Sequence, residues 1–178
     1  YGRCSVRQNI DGTLFSLVYG KLVAENVDPI EKKPLFHILP GSLSYSISTI
    51  GCNFDCLHCQ NASISNPTTE EAARRPVRDC TAQQVVSQAV QSDCRSISYT
   101  YVEPTIFFEF AYDCSVLAHE KGLKNIFVSN GFMSEKTTRM LAPKLDAINI
   151  DLKSFSNEFY EEVCSARSQP VSEMIKLM

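Results

Sequence analysis

The chain has 178 residues, 44% of them apolar, and a formal net charge of −3. This is enough apolar material for one hydrophobic core, so a single folding unit is the default. The acidic balance argues against a dominant DNA- or RNA-binding role, and no apolar run approaches the roughly 20 residues of a transmembrane helix, so a soluble, cytoplasmic protein with no membrane partner is expected.

Residues 1–42 lack helical periodicity. Leu14 to Val18 and Lys21 to Val27, punctuated by Asp11-Gly12, Tyr19-Gly20 and Asp28-Pro29, predict short strands or hairpins, followed by an extended segment from Pro34 to Pro40. Lys32 and Lys33 read as solvated charges, and Cys4 as a small core residue. From Leu43 a βα rhythm begins. Leu43 to Ile50 is the first strand, with Tyr45, Ile47 and Thr49 on one face and Ser44, Ser46 and Ser48 on the other. A cysteine-rich loop follows, then a polar connection from Asn61 to Asp79. Pro67, Pro76 and the run from Glu70 to Arg75 mark that connection as mostly surface, with room for one exposed helical turn.

Thr81 and Gln84 form a capping box that opens a helix carrying Val85, Val86, Ala89 and Val90 on one side. Ser96 to Tyr101 is the second strand. Phe107, Phe110, Cys114 and Leu117 make one helical stripe, and Gly122 stops that helix. Leu123 to Ser129 is the third strand, Ser134 caps a helix to Leu141, and Leu145 to Leu152 is the fourth strand. An amphipathic stretch from Phe155 to Cys164 and the opening of one more helix from Val171 to Met178 complete the chain.

Alternating strands and helices imply an α/β fold with a parallel sheet, open or curled into a barrel. Barrels of this kind place function at the C-terminal ends of their strands. Here the first strand ends at the cysteine loop, the second at Glu103-Pro104, the third at Ser129-Asn130-Gly131 and the fourth at Asp151-Leu152-Lys153. Four strand ends therefore present polar groups on one rim. The expected division is a β-rich extension over 1–42 and a core over 43–178.

The loop reads Gly51-Cys52-Asn53-Phe54-Asp55-Cys56-Leu57-His58-Cys59-Gln60, which is C-x-x-x-C-x-x-C. Thiolates suit soft metals, and a fully capped 4Fe-4S cluster takes four cysteines, so three leave one iron open to an exogenous ligand. An open position marks a catalytic metal centre. A zinc-stabilised, noncatalytic binding module is the alternative, using Cys56 and Cys59 as one half-site, although it needs a second ligand pair and neither His37 nor His119 lies in a tight Cys/His cluster. Covalent haem needs C-x-x-C-H, and Gln60 follows Cys59. Eight cysteines suggest a disulfide framework, but no signal peptide accompanies them.

The cysteine motif resembles that of the radical S-adenosylmethionine (radical SAM) enzymes. With the four rim segments in this order, the chain is similar to pyruvate formate-lyase activating enzymes. Asp28-Pro29-Ile30-Glu31-Lys32-Lys33-Pro34-Leu35-Phe36-His37 and Tyr99 to Thr105 resemble more narrowly the AmmeMemoRadiSam-type subgroup. The resemblance implies a partial (β/α) TIM-like barrel of radical SAM type, here truncated after about four of six strands, so the chain reads as a fragment. It implies that Cys52, Cys56 and Cys59 bind a 4Fe-4S cluster, with His58 in a position that is usually aromatic and lies against the adenine. It places Glu103 beside the methionine amino group, Ser129 and Asn130 toward the ribose or carboxylate, and Asp151 and Lys153 at the fourth strand end. Implied partners are a one-electron donor, flavodoxin or ferredoxin, and a protein substrate bearing a glycine radical site.

Overall fold

The computed structural model describes residues 1–68, 70 and 75–178. The exposed turn expected across Glu70 to Arg75 falls largely outside them. β1 (Arg7–Ile10) and β2 (Thr13–Ser16) form a hairpin, and Asp11 and Gly12 both take positive φ at its turn. β3 (Lys21–Leu22) pairs with β6 (Arg78–Asp79). β4 (Ala24–Pro29), β5 (Leu43–Ser48), β7 (Ser96–Tyr99), β8 (Lys124–Ser129) and β9 (Ala147–Ile150) form one sheet in the order β4-β5-β7-β8-β9. The last four are parallel, as their βα rhythm requires, and β4 runs antiparallel along β5. Asp28 and Pro29, which look like a turn in sequence, therefore close a strand on the edge of the main sheet.

Register decides what each face carries. Ser44 pairs with Ser96 and Ser46 with Ser98, so these serines share one face with Asp28 of β4 and Asn149 of β9. That face is the inside of the partial barrel. The serines are fully buried there, and the Ser44 and Ser98 hydroxyls lie 2.6 Å apart. Small hydroxyls leave space at the barrel centre; Ser44 and Ser98 satisfy each other, Ser46 donates to Asp28, and the buried Ser96 hydroxyl has no partner among the described residues.

The opposite face carries Tyr45, Ile47, Ile97, Tyr99 and Phe127 and packs on helices. α1 (Ala62–Ser65) is a single turn after the cysteine loop. α2 (Ala82–Gln91) begins at the Thr81–Gln84 capping box, with both reciprocal bonds formed. It buries Ala82, Val85, Val86 and Ala89, whereas Val90 is half exposed because it stands at the border of that stripe. α3 (Phe108–Glu120) follows a 3-10 turn over Pro104–Phe107 and buries Phe110 and Cys114 completely. Truncating such a phenylalanine costs about 3–5 kcal/mol. α4 (Glu135–Leu141), α5 (Asn157–Cys164) and α6 (Ser168–Leu177) complete the chain, with Ser134 and Ser156 capping α4 and α5 through their hydroxyls. A second, smaller core of Phe54, Tyr160, Cys164 and Val171 fastens α5 and α6 beneath the cysteine loop.

Candidate functional site

The cysteine loop starts at a residue that only glycine can be. Gly51 has φ +97°, and a Cβ there would lie 2.8 Å from the Cys4 carbonyl oxygen and 3.0 Å from Val6 Cγ1. Cys4, buried as expected of a core residue, thus backs the loop with its main chain. Beyond Gly51 the Asp55 amide donates to the Cys164 carbonyl (3.2 Å) and the Leu57 amide to the Val163 carbonyl (2.9 Å). Phe54 plugs into the smaller core, edge-on to Phe132 at 5.5 Å and to Tyr160 at 6.1 Å. Anchored there, the loop turns Cys52, Cys56 and Cys59 toward one cavity of about 800 Å³.

Burial pushes the Cys52 thiol up to about 11 and that of Cys56 up to about 12, the latter helped by the neighbouring Cys164. Both thiols are therefore protonated at neutral pH, and a metal that binds them must displace the protons. All eight cysteines are free. Among the described residues no three His, Cys, Asp or Glu side chains converge closely enough to hold one metal ion. A 4Fe-4S cluster asks for something else, a separate iron for each thiolate. Three soft donors on one wall of a roomy cavity fit that group, and Cys52, Cys56 and Cys59 would hold it.

The other walls come from the strand ends. Glu103, almost wholly buried, accepts from the Thr105 amide (3.1 Å) and hydroxyl (2.8 Å), the Ser129 hydroxyl (2.9 Å) and the Asn130 amide (2.7 Å). Burial still dominates and raises its pKa above the usual carboxylate value. Glu103 thus ties the end of β7 to the end of β8. Asn130 reaches back to the cysteine loop, its amide donating to Asn53 Oδ1 at 2.7 Å. Asp151 and Lys153 are ion-paired at the end of β9, as their alternate positions allow. Burial disfavours the Lys153 ammonium, but Asp151 outweighs it and the pKa is raised. His58 is exposed at the cavity mouth, its ring 6.2 Å from that of Phe159. The structure thus brings all nine residues expected at the site around one cavity.

Sequence reading missed the fourth wall. Lys33 is 2% exposed, not solvated, and its ammonium meets Asp28 Oδ2 at 2.8 Å. Lysine is buried only when paired, and the partner here lies five residues earlier, next to the last residue of β4. Asp28 also accepts from Lys32 (2.9 Å), the Ser46 hydroxyl (2.9 Å) and the Tyr101 hydroxyl (2.7 Å). Burial opposes its charge, yet these donors hold its pKa well below the usual carboxylate range. Tyr101 takes φ +68°, a costly conformation for a bulky residue, which swings its ring onto this wall with the Lys33 ammonium 5.1 Å from its centroid. The one signal in the sequence was the Asp28 to Lys33 spacing across a turn. A second cavity, about 700 Å³, lies on the helix side beside Tyr19, Cys80 and Asp113 and shares none of these residues.

Residues 46–178 match the Radical SAM superfamily model. An uncharacterized protein of Methanocaldococcus jannaschii, MJ0808, is 44% identical over 176 residues, covering 99% of this chain and 51% of that protein. The chain thus spans about half the length of this curated relative. Among solved structures the fold is similar to that of TYW1 with a lysine-pyruvate adduct bound (TM-score 0.52, 14% identity, 98% of this chain and 63% of that one) and to QueE from Escherichia coli (TM-score 0.55, 12% identity, 86% and 66%). Members of the matched superfamily use a 4Fe-4S cluster and S-adenosylmethionine. With its three-cysteine loop at the head of a partial βα barrel and three quarters of its length matched, the chain belongs to the radical SAM superfamily.

Proposed function

We propose that this chain carries the catalytic core of an enzyme that cleaves S-adenosylmethionine reductively and uses the resulting radical to abstract hydrogen. The observation that carries the reading is the single cavity in which Cys52, Cys56 and Cys59 face the charged and polar ends of β7, β8 and β9. When bound, the cluster and S-adenosylmethionine supply an electron to the sulfonium and a 5′-deoxyadenosyl radical. The protein's own task is positioning. Phe54, Gly51 and the Asn53–Asn130 bond hold the thiols in place. Asp151 and Lys153 offer opposite charges, at one strand end, to the amino and carboxylate groups of a methionine moiety. Glu103 keeps the β7 and β8 ends in register beneath it.

The electron would come from a flavodoxin or ferredoxin. The resemblance to activating enzymes makes a glycine in a partner protein the first substrate to test. The decisive experiment reconstitutes the full-length protein with iron and sulfide without oxygen, reduces it, adds S-adenosylmethionine and assays 5′-deoxyadenosine beside a Cys56→Ala control. Product that disappears in the control supports the reading. Stoichiometric zinc with no cluster and no product would overturn it in favour of the binding module.

A further inference from the structure

The cluster loop and the ends of β7, β8 and β9 account for three sides of the cavity, and on the β4 side Asp28, Lys32 and Lys33 bond to one another and to none of the three cysteines. That side is built with care. The Asp28 carboxylate is filled by four donors from four residues. The Tyr101 hydroxyl donates to Asp28 and accepts from the Asn26 amide at 3.0 Å, so its ring is fixed, and the Asn61 amide holds the Tyr101 carbonyl at 2.9 Å. Tyr101 is neutral at ordinary pH, because burial followed by the bond to Asp28 pushes it up to about 12.

Charge on this wall does not balance. Two ammonium groups, Lys32 and Lys33, face one carboxylate, Asp28, and all three residues line the cavity. Each ammonium has three protons, and each gives one to Asp28. Each therefore keeps donors that a negatively charged ligand can use. Lys33 is almost fully buried and its partner is held on every side, so an incoming anion meets a preformed cation and not a flexible surface chain.

We propose that the wall formed by Lys33, Lys32 and Tyr101 over Asp28 is a substrate subsite that receives an anionic group, a carboxylate or a phosphate. The proposal deepens the function given above and rests on it in one respect, since S-adenosylmethionine is taken to occupy the opposite side. Lys33 supplies the fixed charge, the exposed Lys32 closes on the anion from the mouth, and the Tyr101 ring bounds the space between them. Asp28 acts through the two lysines as a positioning residue.

The test uses the reconstituted full-length protein, titrated calorimetrically with inorganic phosphate and, separately, with malonate, each with and without S-adenosylmethionine. One of the two should bind in both conditions, and the tighter one identifies phosphate ester or carboxylic acid as the substrate's anionic part. Lys32→Gln should weaken binding about threefold, as an exposed charge does. The double variant Asp28→Asn/Lys33→Met, which removes both buried charges together, should weaken it about tenfold or more. Thermal unfolding checks that the double variant is folded; should it unfold, the Lys32→Gln ratio decides alone.

No binding of either anion overturns the proposal, as does binding that the variants leave unchanged. Binding that vanishes on adding S-adenosylmethionine gives the wall to the cofactor and overturns it too. The two readings fail separately. Lysine-dependent anion binding without 5′-deoxyadenosine formation sinks the function and keeps the site; 5′-deoxyadenosine without anion binding sinks only the site.

Discussion

The Asn130 side-chain amide donates to Asn53 at 2.7 Å, fastening the end of β8 to the residue directly after Cys52. Its oxygen accepts from the Phe132 amide at 2.9 Å, and Asn53 in turn donates to the Phe132 carbonyl at 3.1 Å. Two asparagines and one stretch of main chain thus lock the cysteine loop to the barrel.

Replacing Asn130 with alanine removes both side-chain bonds and leaves Asn53 without its donor. The expected loss is about 1–3 kcal/mol of stability. Because the damage falls on the loop, iron retained after anaerobic reconstitution should fall further than overall stability does. Urea denaturation and an iron count on the same preparation would test this; normal iron with lowered stability would confine Asn130 to a structural role.

The cysteines divide into two groups by environment. Alanine at Cys52, Cys56 or Cys59 should abolish the visible absorbance of the reconstituted cluster. Alanine at Cys94 or Cys114, which are buried away from the cavity, should keep it and lower only the melting temperature.

Asp28→Asn leaves Lys33 buried without its counter-charge. The expected cost is about 3 kcal/mol or more, and adding Lys33→Met should restore much of it, because an orphaned buried charge costs more than an absent pair. A double-mutant cycle by chemical denaturation measures the difference. Equal costs for the single and double variants would mean that water reaches the ammonium.

Asp146 is expected to contribute to acid stability. It accepts from Lys124 (2.7 Å), the Asn125 amide (2.8 Å) and His119 (2.8 Å), so although burial opposes its charge, these donors lower its pKa below the usual carboxylate value. A lowered folded pKa means stability that is present above the unfolded value of about 3.9 and lost as pH falls through the folded one. Asp146→Asn should therefore be less stable than the parent at pH 7, by about 1 kcal/mol, with the gap closing below about pH 4. Urea midpoints across that range check it, and a constant gap would contradict it.

What the sequence disclosed was mostly local. Thr81 with Gln84, Ser134 before α4 and the strict alternation in β5 each act within a few residues, and each is present where its pattern predicts it. The spacing of Cys52, Cys56 and Cys59 is local in the same sense. What stayed hidden depends on distant partners. Lys33 looks solvated until β4 is seen to pair with β5 and carry Asp28 inside the barrel. Phe54 reads as one more loop residue until Phe132 and Tyr160, about 80 and 100 positions later, form its socket. Glu103 and Asn130 could be placed on the rim from strand order, but their bond to each other follows only from the parallel register of β7 and β8.

The supports of the cysteine loop also set an order of events. Its first residue rests on the Cys4 carbonyl, while its middle is held by the Val163 and Cys164 carbonyls at the end of α5. On a growing chain the early support exists when the loop emerges, and the late one does not until more than a hundred further residues have been made. Metal offered during synthesis therefore meets three thiols on a half-built frame, because the carbonyls that hold the middle of the loop arrive only with α5.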